Sequence, residues 1–545
     1  MEGARSLITS NSPKRFTRHF ELANVSAEYS WLQTPYRRHI RRVTPCQPII
    51  MRRRSRSRFG LCRKDLFEKR PLVRGCSVQE DPECRQKRGN GLVRRLTEAD
   101  RQLLDRVVRA RSGLTEGPQS SSARPDKASD RSRRLDFATL PGYAEQQMLR
   151  SAAAGLGLRD PYFLVHDADA GTTTTIDNRP LINFSSYDYL GFNHCPAVRS
   201  AAQSAVDRYG VSASASRLVA GERPIHGALE KALANHYLQE GSLTYVSGHA
   251  ANVATIAALL GPRDLMLHDA LAHNSIVMGA MMARCERRAF PHNDMGALDA
   301  ALAAIRGQYD RVLIVAEGLY SMDGDICDLP ALIEIKDRRE AWLMIDDAHG
   351  LGVLGPTGQG VFEHFGVDPK RVDIWMGTLS KTLAACGGFI AGPNTLVDYL
   401  KGAAGGFVYS VAMPPAIAAA ALTALGLLGS EPERVVRLKA NSRRFNEAAR
   451  AAGLDIGLSV GEAIAPVVTG SSLRAVALSQ RLFDRGVNVQ PIIHPAIPER
   501  LARLRFFISS EHNFEQIDAA IRLLTEQLRE LRLTVSSASA RADMR

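Results

Sequence analysis

The sequence predicts an α/β protein built on a mostly parallel sheet with helices on its faces. From about Leu181 onward, short apolar runs of four to six residues alternate with amphipathic stretches of ten or more, the pattern of strands joined by helical crossovers. The turn after each run gathers His, Asp, Ser, Thr or Lys, which places chemistry at the strand carboxyl ends where ligands collect in such sheets. With 545 residues, 45% of them hydrophobic, the chain can bury a large core and form more than one folding unit.

The formal charge of +13 does not belong to this body. Residues 1–135 hold 32 Lys and Arg against 14 Asp and Glu, whereas the remainder holds 38 against 43. Residues 1–135 therefore read as a basic, solvated arm without stable structure, with runs such as Arg37-Arg38 and Arg52-Arg53-Arg54. They lack the interleaved aromatics of a base-stacking surface, so nucleic acid is not the predicted partner. The arm is also compatible with a mitochondrial transit peptide, or with translation starting at Met51 or beyond. A helical pattern runs from Leu92 to Arg111, and a Ser/Pro-containing linker comes after it at 120–125. The folded body is expected to begin near Leu135.

Eight cysteines without a Cys-x-x-Cys pair or a secretory signal fit a reducing, cytoplasmic compartment, the mitochondrial matrix being the alternative if the arm is a transit peptide. The four in the arm have spacings of sixteen, fourteen and eight residues, which match no usual metal-ligand pattern, so no metal site is predicted. The most apolar run, Ala416 to Leu428, is too short to span a bilayer and stands after Pro414-Pro415, so it reads as a buried helix.

The strand ends come in this order. Leu243–Val246 leads into Ser247-Gly248-His249, where free N–H groups at a helix start suit an anion such as phosphate. Leu265–Asp269 leads to His273, and Val312–Ala316 leads to Glu317 and Ser321. Leu343–Ile345 runs into Asp346-Asp347-Ala348-His349-Gly350. Ile374–Gly377 gives Thr378-Leu379-Ser380-Lys381. A lysine between two buried segments becomes a Schiff-base nucleophile when partly desolvated beside an aldehyde, and the neighbouring hydroxyls suit a phosphate.

Pyridoxal phosphate requires such a set: an anion cradle, a carboxylate to keep the ring nitrogen protonated, a stacking histidine and a lysine amine for the aldehyde. Asp346 and Lys381 are the candidates for the two charged roles. Taken singly, Asp346 also fits a helix cap, and His273 and His349 fit satisfied core histidines. Their recurrence at consecutive strand ends favours the joint reading.

The motifs resemble those of the α-oxoamine synthase family of fold-type I pyridoxal-phosphate enzymes. They are Asn183–Gly191 (NFSSYDYLG), Ser216–Gly221 (SRLVAG) with His226 and Glu230, Asp269–His273, His292–Asp294, Glu317–Asp325 (EGLYSMDGD), Asp346–Gly350, Thr378–Lys381 and Arg503–Arg505, in order across about residues 140–530. The resemblance implies a large cofactor-binding domain at 186–425 and a smaller α+β domain at 426–535, with 136–185 as an N-terminal segment and 536–545 as a tail. It implies that Lys381 bonds the cofactor aldehyde and acts as base, that Asp346 pairs with the ring nitrogen, that His349 meets the ring hydroxyl and that His273 stacks on the ring. Gly248, His249, Ser321 and Thr378 would complete the cofactor site, and Arg505 and Tyr187 would meet the substrate.

The implied reaction is the condensation of glycine, alanine or serine with an acyl thioester of coenzyme A or a carrier protein, with loss of carbon dioxide, in a homodimer. An aminotransferase and a non-catalytic dimer subunit are the competing readings. Three departures set the chain apart from the oxononanoate-synthase pattern: Tyr187, the Ser410-Val411-Ala412-Met413-Pro414-Pro415 run, and Ile492–Ala496 without arginine or threonine. The stretches Ser212–Arg217 and Arg503–His512 look most like polyketide- or fatty-acyl-associated members.

Overall fold

The computed structural model describes residues 136–167 and 171–542. The expectations for the basic arm and for the Leu92–Arg111 helix lie outside them. Thirteen strands occur among the described residues: β1 (Thr173–Ile176), β2 (Arg179–Asn183), β3 (Gly241–Tyr245), β4 (Leu265–Asp269), β5 (Glu286–Phe290), β6 (Val312–Glu317), β7 (Trp342–Asp346), β8 (Ile374–Thr378), β9 (Gly388–Gly392), β10 (Ile464–Val468), β11 (Val487–Asn488), β12 (Gln490–Ile492) and β13 (Arg503–Phe507).

The main sheet has the order β3-β9-β8-β7-β6-β4-β5, and only β9 runs against the others. Each strand from β4 to β8 is preceded or followed by a helix because parallel neighbours need a crossover, whereas β8 returns directly to β9 through a short loop. Strands β6 and β8 are buried at every position, and alternate residues enter two different cores. Val312, Ile314, Leu343, Ile345 and Trp375 face one core, packed with the helices Pro224–His236, Leu329–Arg338 and Pro415–Ser430. Leu313, Val315, Met344, Ile374 and Met376 face the other, covered by the helices Gly248–Leu259 and Asn274–Ala283. Each such side chain contributes roughly 1.5–3 kcal/mol by leaving water. The Ala-rich helix begins at Pro415 and buries Ala418 to Ala421 and Ala424, small side chains that admit close neighbours.

The run Leu181–Phe184 is not part of this sheet. β2 pairs antiparallel with β1 and parallel with β11, so an N-terminal strand is joined to residues some 300 positions later. A third sheet, β10-β13-β12, is antiparallel and carries Arg503 and Arg505. Among the described residues, no helix is long and apolar enough to cross a membrane, and no group of three His, Cys, Asp or Glu is placed to hold a metal ion.

Candidate active site

Lys381 stands in the loop between β8 and β9. Leu379 and Leu383 on either side of it are fully buried and anchor the loop. Leu379 N–H and Thr378 Oγ1 both donate to Gly387 O at 2.9 Å, and Ala384 N–H closes a turn on Lys381 O at 3.0 Å. The lysine itself is half-buried, with its side chain in a cavity of about 340 Å³. Burial lowers its pKa to about 8, assisted by Arg505 and opposed by Asp346 and Glu317.

The same cavity is lined by Tyr187, Gly248, His249, His273, Ser321, Asp346, His349, Thr378 and Arg505, so all the residues singled out from the sequence converge there. At one end, the helix Gly248–Leu259 starts against the β8–β9 loop. Its cap is Ser247, whose Oγ accepts from Ala250 N–H at 3.0 Å. A Cβ on Gly388 would lie 2.5 Å from Gly248 Cα, and one on Gly248 would lie 3.0 Å from Thr378 Oγ1. Only glycines allow this approach of backbone, hydroxyl and helix N-terminus, a cradle for an anion.

Asp346, at the end of β7, is buried and accepts hydrogen bonds from Asn252 Nδ2 at 2.8 Å and Ala348 N–H at 3.1 Å. Asn252 Nδ2 also donates to Ser275 Oγ at 2.9 Å, and Ser275 Oγ lies 2.7 Å from His273 Nδ1. Ser275 N–H points at the same Nδ1 at 3.3 Å, so this nitrogen is the acceptor and Nε2 carries the proton of the neutral ring. Burial lowers the His273 pKa, in agreement, with Asp346 opposing and Lys381, His249 and Arg505 assisting. His349 is buried with Tyr189 Oη 2.8 Å from its Nδ1, and burial holds its pKa well below the usual value.

Arg503 and Arg505 point the same way from β13 and differ in what they meet. Arg503 is tied to the protein: it donates to Asp323 Oδ1 at 2.6 Å, Met322 O at 2.8 Å and Leu501 O at 2.9 Å. Arg505 packs over the Phe507 ring and donates to Ser321 O at 2.9 Å, yet its buried Nε has no partner. A desolvated guanidinium with an unmet donor is a site for a carboxylate.

A match with the family model "Aminotransferase class I and II" spans residues 179–524. The chain is 41% identical over 378 residues to an 8-amino-7-oxononanoate synthase of Methylococcus capsulatus, covering 69% of this chain and 97% of that protein. The chain belongs to the α-oxoamine synthase family. In agreement, a serine palmitoyltransferase of Sphingomonas wittichii superposes with a TM-score of 0.70 at 31% identity, over 73% of this chain and all of that one. A serine palmitoyltransferase of S. paucimobilis with bound pyridoxal phosphate and myriocin gives the same TM-score at 28% identity, with the same coverage.

The fold is therefore that of the fold-type I pyridoxal-phosphate transferases, and this synthase is a pyridoxal-phosphate enzyme. Its own geometry fits the cofactor: the glycine cradle suits the phosphate, the doubly hydrogen-bonded Asp346 suits a protonated ring nitrogen, and the Lys381 amine suits the aldehyde. Asn252, Ser275 and Tyr189, which support Asp346, His273 and His349, went unassigned in the sequence. Asn252 lies one helical turn beyond Gly248 and Ser275 two residues beyond His273, spacings that could have flagged both.

Other motif residues of the synthase serve the frame. His226 Nε2 donates to Met413 O at 2.8 Å, and Arg217 is tied to Glu222 and Glu230. His292 bridges two loops of the site, with Nδ1 2.8 Å from Asp269 Oδ1 and Nε2 2.7 Å from Asp325 Oδ2. Burial opposes its charge, but the two carboxylates outweigh it and raise the pKa to about 10. A histidine whose native pKa exceeds its unfolded value near 6.5 stabilises fully below that pH and loses the effect as pH rises through about 10. Thermal unfolding from pH 6 to 10.5 should show a falling Tm that flattens in His292→Gln; parallel slopes would remove this account.

Asp347 is fully buried, and desolvation raises its pKa far above the carboxylate range. A Cβ on Gly318, Gly350 or Gly360 would meet its oxygens within 2.3 Å, so the side chain fills a space that those glycines leave. Asp347→Asn, neutral like the protonated acid, should keep the stability within about 1 kcal/mol of wild type. Asp347→Ala should lose about 2–4 kcal/mol through the void and the freed Tyr237 hydroxyl. Equal losses in a denaturant titration would show that Asp347 is ionised.

Proposed function

We propose that this enzyme condenses glycine, alanine or serine with an acyl thioester of coenzyme A or of an acyl-carrier protein, with loss of carbon dioxide, to release an α-amino ketone. The observation that carries the reading is Arg505, buried in the same cavity as Lys381 and Asp346 with an unmet Nε donor. It supplies a fixed anchor for an amino-acid carboxylate beside an amine able to act as base. The cavity of about 340 Å³ must receive cofactor and substrate together, which favours a small amino acid. Relatives named 8-amino-7-oxononanoate synthase and serine palmitoyltransferase support an acyl donor.

When bound, pyridoxal phosphate supplies an electron sink for negative charge at the amino-acid α-carbon. In this reading the Gly248 and His249 backbone would hold the phosphate, with Ser321 and Thr378 as further cofactor contacts. Asp346 keeps a proton on the ring nitrogen, and neutral His349, oriented by Tyr189, meets the ring hydroxyl. The Lys381 amine would hold the aldehyde and would serve as base for the α-proton; a pKa near 8 leaves a useful unprotonated fraction close to neutral pH. His273 covers the ring face, and its Nε2–H is available to the oxyanion that forms on the thioester carbonyl. Tyr187, edge-on to Phe507 at 4.7 Å, borders the substrate side. Leu271, Met278, Met281 and Met282, exposed on and beside the helix that His273 caps, are the apolar surface we assign to a second copy in a homodimer.

The test supplies each amino acid with acyl-coenzyme A or acyl-carrier thioesters to the reconstituted protein and monitors free thiol, carbon dioxide and product mass. Amino-acid-dependent release of thiol and carbon dioxide in equal amounts supports the reading. Amino transfer to a keto acid without thiol release would make the protein an aminotransferase. No turnover with any pair would make it a non-catalytic subunit.

A further inference from the structure

Two carboxyl groups stand side by side in the cavity, and only one has the partners of an anion. Glu317 and Asp346 are paired neighbours at the ends of β6 and β7. Asp346 receives an amide and a backbone donor. Glu317 is 3% exposed; its Oε2 accepts from the backbone N–H of Ser321 at 3.3 Å, the backbone N–H of His273 also faces its carboxyl group, and its Oε1 is buried without a hydrogen-bond partner. An ionised oxygen with no donor, away from water and beside a second carboxylate, costs several kcal/mol, which a proton removes.

We propose that Glu317 is a positioning residue that works as a neutral acid: its carboxyl group holds the backbone of Ser321 and faces that of His273, and by keeping a proton it leaves Asp346 as the only negative charge facing Lys381. The groups around it are Asp346 on β7, Lys381 in the β8–β9 loop, His273 after β4 and Tyr320 on its own loop. Burial, then Asp346, raise its pKa to about 8, with Lys381 opposing, so the neutral form holds at pH 7 and is lost above pH 8. A neutral Glu317 matters because the site must take up a phosphate-bearing ligand: a second carboxylate would repel it.

The inference rests on the cavity being the cofactor site, and its test is independent of any amino acid or thioester. Apo-protein is titrated with pyridoxine 5′-phosphate, which has no aldehyde for Lys381 to bond, from pH 6.5 to 9.5, for wild type, Glu317→Gln and Glu317→Ala. Glu317→Gln should bind like wild type at pH 6.5; above pH 8 both lose the Lys381 charge, and wild type should weaken about tenfold more than Glu317→Gln. Glu317→Ala should bind at least tenfold more weakly at every pH, because the two loops lose their tie. Infrared difference spectra at pH 7 should show a protonated-carboxyl band that Glu317→Gln lacks. A wild-type to Glu317→Gln affinity ratio constant across the range, or no such band, overturns the proposal. Binding absent from all three proteins would instead fault the cofactor site, and unfolding curves at each pH separate loss of fold from loss of affinity.

Discussion

Lys381→Ala is expected to fold normally and to lose at least about 10³-fold in turnover, within the range assigned to a missing general base. The reason lies in how the loop is built. Leu379 and Leu383 supply the burial, and Thr378 and Ser380 supply the hydrogen bonds to Gly387 O, so the loop does not need the lysine to close. Removing the amine also takes a desolvated positive charge out of the cavity, which leaves stability little changed or slightly improved. Cofactor should still bind through the cradle and Asp346, but reversibly, and should wash out on dialysis. The measurement is a visible spectrum before and after dialysis beside a thiol-release assay. Retained turnover would move the base to another residue and remove Lys381 from the centre of the site.

The second large effect separates two arginines two positions apart. Arg505→Ala should raise KM for the amino acid by about 30- to 1000-fold, the loss of about 2–4 kcal/mol of charge-assisted hydrogen bonding, with the Tm near wild type. Arg505→Lys should recover only part of this, because an ammonium lacks the planar fork. Arg503→Ala should do the reverse: it strands buried Asp323 and two backbone carbonyls, and should lose about 3–5 kcal/mol of stability. Steady-state kinetics and unfolding of the three variants settle the division. If Arg503→Ala raised KM and Arg505→Ala unfolded the protein, the roles would be exchanged.

Much of the site was legible because its residues stand at strand ends, and a strand end can be read from an apolar run and the polar residues just beyond it. Asp346 after Leu343–Ile345 and Lys381 after Ile374–Gly377 needed no knowledge of sheet order. Partnership did need it. That Glu317 lies beside Asp346 depends on β6 and β7 being neighbours, and that Gly388 touches Gly248 depends on β9 entering between β8 and β3. The contrast between Arg503 and Arg505 was invisible for the same reason: the motif gives both, and only the loop carrying Met322 and Asp323 ties up one of them. The strand Arg179–Asn183 could not be placed in advance, because the sequence contains no signal for its pairing with Val487–Asn488.

That pairing sets the order in which the molecule can be completed during synthesis. Ile182 N–H bonds Gly486 O at 2.8 Å, Phe184 N–H bonds Asn488 O at 2.9 Å, and the Asn183 and Asn488 side chains meet at 2.9 Å. Both partners, Gly486 and Asn488, leave the ribosome some 300 residues after β2. At about 5–20 residues per second, β2 waits on the order of 15–60 s with one edge unpaired. The main sheet, whose strands all lie between Gly241 and Gly392, is meanwhile free to form. The strand leading into Tyr187 and Tyr189 is thus fixed late, in the same stretch of synthesis that delivers β13 and Arg505, so the substrate side of the cavity takes shape after the cofactor side, and the waiting edge is where a nascent chain would most need a chaperone.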